Sequence, residues 1–365
     1  TTSPPSHPPK VGLWTTNLPG YHIHLYNGRL QPLPTLPKGV TLCHFSDMDK
    51  RARGIAVERV GEHRGSRKDP FVALNTGSFQ EGCYVALGRG VVLDKPIYVH
   101  DYTLIDVPTL RSPRFFIHLG EESSGEVVYI PYTPNGVPSL ENGVSEIYLD
   151  RGARLDYYML PIVSSEGAYR LHYTQITQGA KSICRAYTTG LAGAFTRYHL
   201  GVDLMGEGSR VMVYGHYIGD GEQHMEHHVQ VVHGVPHTTG HTHIRGVLGG
   251  RSVGVFNGLI TVLPQAQKTV ASQYHHGWGA TPRTHFYTRP QLCIEADDVV
   301  CQHGATIAQM EEEVLFYLNT RGISSGKAKE MWVRAFLEMV TIHIPSSELR
   351  RYIADALEAK CRVLL

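Results

Sequence analysis

From Cys83 to about Val300 the chain is built of short runs rich in Val, Ile, Tyr and Thr, punctuated by Gly and Pro. No long stretch in this region has helical period, so the pattern predicts strands. A loose unit recurs within it: apolar residues, a glycine, a polar residue, then alternating apolar residues. It reads LDRGARLDYYML near Gly152, ITQGAKSICRA near Gly179, LMGEGSRVMVYG near Gly208 and LGGRSVGVFNG near Gly249. These glycines are separated by 27, 29 and 41 residues. A winding β-helix absorbs such irregularity through side loops, whereas a propeller keeps a steadier period of about 40 residues. The expected fold is mainly β, a parallel β-helix core over residues 76–304 with a small α-helical domain over 305–365.

Residues 1–75 read as an irregular segment. Asn27-Gly28 lies between the run from His22 to Tyr26 and the stretch RLQPL, which predicts a hairpin. Lys50 to Lys68 is basic and reads as a solvated loop. PFVALNTGSF from Pro70 predicts a short helix, with Asp69 as its cap and Pro70 in its first turn.

At the other end, a last strand carries Cys301 and His303 and is expected to stop at Gly304. Thr306 is expected to cap a helix over Gln309 to Arg321 that ends at Gly322. A second helix starts at Ser324 or Ser325, with Ala328, Met331, Trp332, Ala335, Phe336, Met339 and Val340 in helical rhythm. Pro345 breaks it. A third starts at Ser346 or Ser347, with Leu349, Ile353, Leu357 and Leu364 on one side. So much apolar surface must pack on the β domain or on another protein.

Composition narrows the partners. The 34 basic and 33 acidic side chains give a net charge of +1, which argues against a dedicated nucleic-acid or membrane surface. No run approaches the roughly 20 apolar residues that span a bilayer, so the simplest location is the cytosol. Six cysteines without a Cys-x-x-Cys pair fit reduced thiols. The opening Thr1 reads as a processed or trimmed end.

Candidate chemistry centres on Cys301 and His303. Alternation along a strand points both the same way and Gln302 the other. A soft sulfur beside an imidazole suits iron, zinc or copper better than magnesium or calcium. One thiol and one imidazole leave a four-coordinate site incomplete, so further ligands must come from elsewhere. Cys293 and Glu295 are candidates for them. The alternative is a metal-dependent β-helix or cupin-like enzyme using His241 and His243, although no acid follows that pair. The other histidines between His216 and His243 read as polar residues pairing along a β surface.

Other motifs point away from catalysis. Gly326-Lys327 lacks the spacing and the Ser or Thr of a phosphate loop, and no Gly-x-Ser-x-Gly elbow is present. Asp297-Asp298 reads as a turn before a strand, and Cys83, Cys184 and Cys361 read as small buried apolar residues.

The segment ADDVVCQHGATIAQMEEEVLFYLNTRGI, preceded by VFNGLITVLPQAQKT and TRPQLCIEADD, resembles the SufB/SufD family of iron-sulfur cluster assembly proteins. The resemblance extends, with gaps, from about residue 70 to 340. His303-Gly304-Ala305-Thr306 stands where the B-type protein usually has His-Glu-Ala-Thr, and Thr284 stands near a B-type cysteine, so the chain is most similar to SufD. The resemblance implies a right-handed parallel β-helix and a scaffold subunit that is not an enzyme. It implies a SufB-like partner and a SufC-like ATPase docked on the C-terminal helices, and it allows a homodimer when the chain is isolated. It also implies that Cys301 and His303 hold iron or an iron-sulfur cluster transiently, in a site shared with a partner.

Overall fold

The computed structural model of the protein describes residues 17–59, 69–105, 107–133, 137–161, 167–308 and 312–364. Its first elements are β1 (Tyr21–Tyr26), β2 (Arg29–Leu30), β3 (Val40–His44), α1 (Lys50–Arg59), α2 (Pro70–Ser78), β4 (Glu81–Leu87), β5 (Ile97–Tyr102), β6 (Thr109–Arg111) and β7 (Pro113–Leu119). Then come β8 (Ser124–Tyr132), β9 (Ser139–Leu149), β10 (Arg154–Met159), β11 (Ala168–Gln178), β12 (Ile183–Gly190), β13 (Phe195–Leu204), β14 (Arg210–Gly219) and β15 (His224–His233). The chain closes with β16 (Thr239–Leu248), β17 (Val253–Val262), β18 (Thr269–Gly279), β19 (His285–Ile294), β20 (Val299–Ala308), α3 (Glu312–Thr320), α4 (Ser325–Thr341) and α5 (Ser347–Leu364).

The strands form a β-solenoid of about eight turns. One stack, sheet A, runs β2-β1-β5-β8-β10-β12-β14-β16-β18-β20; the other, sheet B, runs β3-β4-β7-β9-β11-β13-β15-β17-β19, with β6 also paired to β9. Among the described strands, pairing is antiparallel between β1 and β2 and between β3 and β4, and parallel elsewhere. Alternation sends one set of side chains into the lumen, where like positions stack from coil to coil. Val127, Tyr157, Ala186 and Val213 are in register on successive strands of sheet A, and all are buried in the main core.

The recurring glycine unit is the turn from sheet B to sheet A. Gly152 and Gly208 adopt φ of 69° and 73° there, a region that suits glycine. Glu122, Lys181, His237 and Lys268 hold the same conformation in other coils. A buried hydroxyl follows Glu122, Lys181, Gly208, His237 and Lys268, whereas Ala153 follows Gly152; the hydroxyl reaches back three residues in several turns, as Ser123 Oγ does to Gly120 O at 2.7 Å and Ser182 Oγ to Gly179 O at 2.8 Å. Gly179 belongs to this series of turns, but Gly249 lies on the opposite ridge, between β16 and β17. The interval of 41 residues therefore joins two different turns.

Several local expectations hold. Asn27 and Gly28 close the β1–β2 hairpin with φ of 48° and 77°. Asp69 caps α2, its Oδ1 accepting from Phe71 N at 2.8 Å. Lys50 to Arg59 is helix and not loop, with residues 60–68 outside the described set. Asp49 caps that helix by accepting from Ala52 N at 2.7 Å, and Ala52 and Ala56 bury against Tyr84, Phe116 and Tyr148. The last strand does not stop at Gly304, and Thr306 lies within it. Its ladder with β18 continues to Trp278↔Ala308. Gly304 instead makes room, since a Cβ there would meet the Tyr274 ring at 3.1 Å. Residues 309–311 of the expected first C-terminal helix lie outside the described set.

Helices α4 and α5 pack back on the outer face of sheet A. Val333, Leu337, Ile344, Leu349, Ile353, Leu357 and Cys361 join Tyr98, Val128, Tyr158, Tyr187, Ile218, Val247 and Trp278 in one cluster. The buried stripe of α4 is Ala328, Val333, Leu337 and Val340, which leaves Met331 and Met339 exposed instead of buried. The helix is apolar on two sides, and the solenoid takes one. On α5 Cys361 joins the buried row, and Leu364 packs against it partly buried.

Two predictions follow from the lumen and the turns. His172, His227 and His275 are buried; burial holds His172 down to about 4 and His227 and His275 to about 3. In the unfolded chain they take up protons near pH 6.5. Stability is thus fully present above that pH and is lost as pH falls below it, by up to ~1.4 kcal/mol per pH unit for each histidine. Urea unfolding at pH 7 and pH 5 is expected to show this loss, and His227→Phe to reduce it; an unchanged slope in the variant overturns the assignment. Lys181→Gly is expected to raise the unfolding free energy by up to about 1 kcal/mol by relieving the left-handed backbone.

Candidate functional site

The site lies on the final coil. β20 pairs with β18 in the register Ala271↔Cys301, Gln273↔His303 and Tyr274↔Gly304, and β19 pairs with β17. Among the described residues no strand follows either, so both ten-residue strands leave one edge unpaired.

Cys301 and His303 occupy alternate positions on β20, as strand period requires. Cys301 is half-buried and packs with Leu292 and Val299 against Ile260, Val262, Ala271 and Ala296. Burial pushes its thiol up, so the sulfur is held as a neutral thiol until a cation or base draws off the proton. His303 is exposed. The residue beneath it in register, Gln273, is buried and donates from Nε2 to Gln291 O at 3.1 Å, which braces the last coil. The thiol is thus seated in an apolar shelf and the imidazole projects beside it.

Cys293 alternates with Leu292, which packs in that shelf, so it lies on the opposite face of β19 and is not brought to the pair. Glu295 lies just past the end of β19. Asp297 and Asp298 form the turn between β19 and β20, where Asp298 pairs with Lys268. Among the described residues no three His, Cys, Asp or Glu side chains converge on a metal-sized site.

The His-x-His alternative fares no better. His241 and His243 share the outer face of sheet A, where His241 Nδ1 is engaged by Ser272 Oγ at 2.8 Å and, among the described residues, they belong to no group of three His, Cys, Asp or Glu side chains able to hold a metal. The neighbouring histidines are structural. His224 and His228 bracket Glu226 at 2.8 and 3.0 Å, and the buried His227 stacks on Tyr217. His233 Nδ1 meets Thr238 Oγ1 at 2.8 Å.

Sequence reasoning missed the surroundings of the pair. Tyr287 and Val300 are 61% and 57% exposed on the last two strands, and Ile294 and Ile307 are exposed beside them. The available signal was that no further alternating run follows β20.

These features define a parallel β-solenoid whose terminal strand presents a thiol and an imidazole at an unpaired edge. Residues 104–336 match the family described as SUF system FeS cluster assembly, SufBD core domain. An iron-sulfur cluster assembly SufBD family protein of Synechocystis sp. is 26% identical over 327 residues, covering 86% of this chain and 71% of that protein. The iron-sulfur cluster assembly protein SufD of Escherichia coli is 28% identical over 303 residues, covering 82% and 71%. SufD of Bacillus subtilis is 22% identical over 312 residues, covering 83% and 68%. The chain belongs to the SufBD family of the SUF iron-sulfur cluster assembly system.

The burial of the thiols orders their reactivity. Under anaerobic native alkylation, Cys293 is expected to react first and Cys301 more slowly, with Cys83 and Cys184 protected until the solenoid unfolds. Peptide mapping by mass checks this order. Early labelling of Cys184 contradicts the packing described.

Proposed function

We propose that the chain is a SufD-like scaffold subunit, not a catalyst, which pairs with a SufB-like subunit and docks a SufC-like ATPase. Iron or a nascent cluster is cargo in this reading, held transiently between Cys301 and His303 and ligands from the partner. One observation carries it: the unpaired last coil bears both the candidate ligands and a run of exposed apolar side chains. Open strand edges invite pairing, and exposed apolar patches beside them mark interfaces. A thiol and an imidazole with no third ligand among the described residues are reasonable chemistry when the interface supplies the rest.

The docking half of the proposal rests on the helices. Phe316, Tyr317, Met331, Met339 and Ile342 remain exposed after α4 has buried its other stripe on the solenoid. Methionine-rich helical surfaces suit a partner that changes shape during its cycle, because flexible side chains repack at low cost.

Anaerobic reconstitution with SufB-like and SufC-like partners tests both halves. His303→Ala and Cys301→Ser are expected to lower cluster yield at least tenfold while leaving the complex assembled. Met339→Glu is expected to lose the ATPase from the co-purified complex while the SufB-like subunit stays. Full cluster assembly by both site variants overturns the proposed ligands, and retention of the ATPase by Met339→Glu overturns the docking face.

A further inference from the structure

Arg245 is 5% exposed on the outer face of sheet A, beneath α4, and its guanidinium lies over the Phe336 ring at 4.5 Å. Its Nε has no hydrogen-bond partner, and no carboxylate is paired with it among the described residues. This is unlike the other deeply buried arginines among the described residues. Arg111 pairs with Glu81 and Asp101, Arg114 with Glu146, and Arg170 with Glu141, at 2.7 to 3.0 Å. A buried guanidinium without a counter-ion is destabilising in general.

The groups around Arg245 are histidines. In register, His216 flanks it on β14 and His276 on β18. His243 precedes it by two residues on the same face of β16, with its ring 5.3 Å from that of His276 and its buried Nε2 without a partner. His343, just beyond α4, stacks on Tyr214 at 4.5 Å. His216 is already committed, with Nε2 donating to Leu337 O at 3.0 Å. A guanidinium and several imidazoles thus meet in one seam with unused N–H capacity and no acid among them.

We propose that this seam between the solenoid and α4 binds a small tetrahedral oxyanion of the phosphate or sulfate class, held by Arg245 with His243 and His276. Arg245 and His243 stand on β16 and His276 on β18, so the N–H groups come from two adjacent strands. That spread matches oxygens disposed tetrahedrally better than the two coplanar oxygens of a carboxylate. The cover of Phe336 and α4 excludes a macromolecular ligand. A bound anion neutralises the stranded charge, so occupancy ties α4, and the apolar face it exposes, more firmly to the solenoid. The site is separate from Cys301 and His303 and stands whether or not the scaffold reading does.

The test uses the full chain, purified without phosphate or sulfate and titrated with inorganic phosphate at constant ionic strength and pH, with chloride and acetate as comparison anions. Phosphate is expected to raise Tm saturably, with one phosphate bound per chain by equilibrium dialysis. Arg245→Met is expected to fold at least as well in chloride and to lose both the shift and the binding. Arg245→Lys keeps the charge without the fork and is expected to weaken phosphate at least tenfold, which provides a second readout should the Met variant fail to fold. An equal shift in parent and variants marks a general salt effect and overturns the site. So does the absence of binding by the parent, or saturable stabilisation by acetate alone.

Discussion

Everything in this molecule depends on the parallel hydrogen-bonded register between successive coils. Each coil is templated by the one before it: the backbone ladder fixes which residue lies above which, and alternation then decides what enters the lumen. Stacks such as Val127, Tyr157, Ala186 and Val213 follow from register alone. So does the cost of ending. A ladder that templates its next member must stop somewhere, and here it stops at β19 and β20 with one edge of each strand unused. The candidate ligands and the exposed apolar side chains fall on that same coil, on which no described strand stacks.

Much of this was legible in residue order where the cause is local. Asn27-Gly28 and Asp69 act through their own backbone and did as expected. The shared face of Cys301 and His303 needed only the two-residue period of a strand. Features set by neighbours distant in sequence were harder to read. Gly304 looks like a terminator, but its role is to clear the Tyr274 ring on the adjacent coil. Gly249 looks like the fourth member of a series, yet it turns the other corner. On α4 the apolar residues fit two stripes, and only the surface of sheet A decides which is buried. The helix over Lys50–Arg59 was hidden by its charges, because two alanines suffice to seat it on three aromatic rings.

The polar groups follow the same division. Inside the lumen, Arg111 and Arg170 come with carboxylates and histidines remain neutral among aromatic rings, so burial is compatible with fold stability at neutral pH. Outside, on sheet A, the row His216, Arg245 and His276 comes from three strands separated by about thirty residues each. No motif search over contiguous residues would join them. The register that builds the core also assembles this row.

The return of α4 and α5 onto sheet A has a consequence for biosynthesis. The face they cover includes Tyr98 and Val128 from early coils, while the covering residues Leu349, Ile353 and Leu357 lie close to the end of the described chain. On the ribosome, the early coils can stack as they emerge, but this aromatic face stays wet until α4 and α5 have been made. A nascent chain that stops short of these helices therefore displays a sticky sheet face that the folded protein covers.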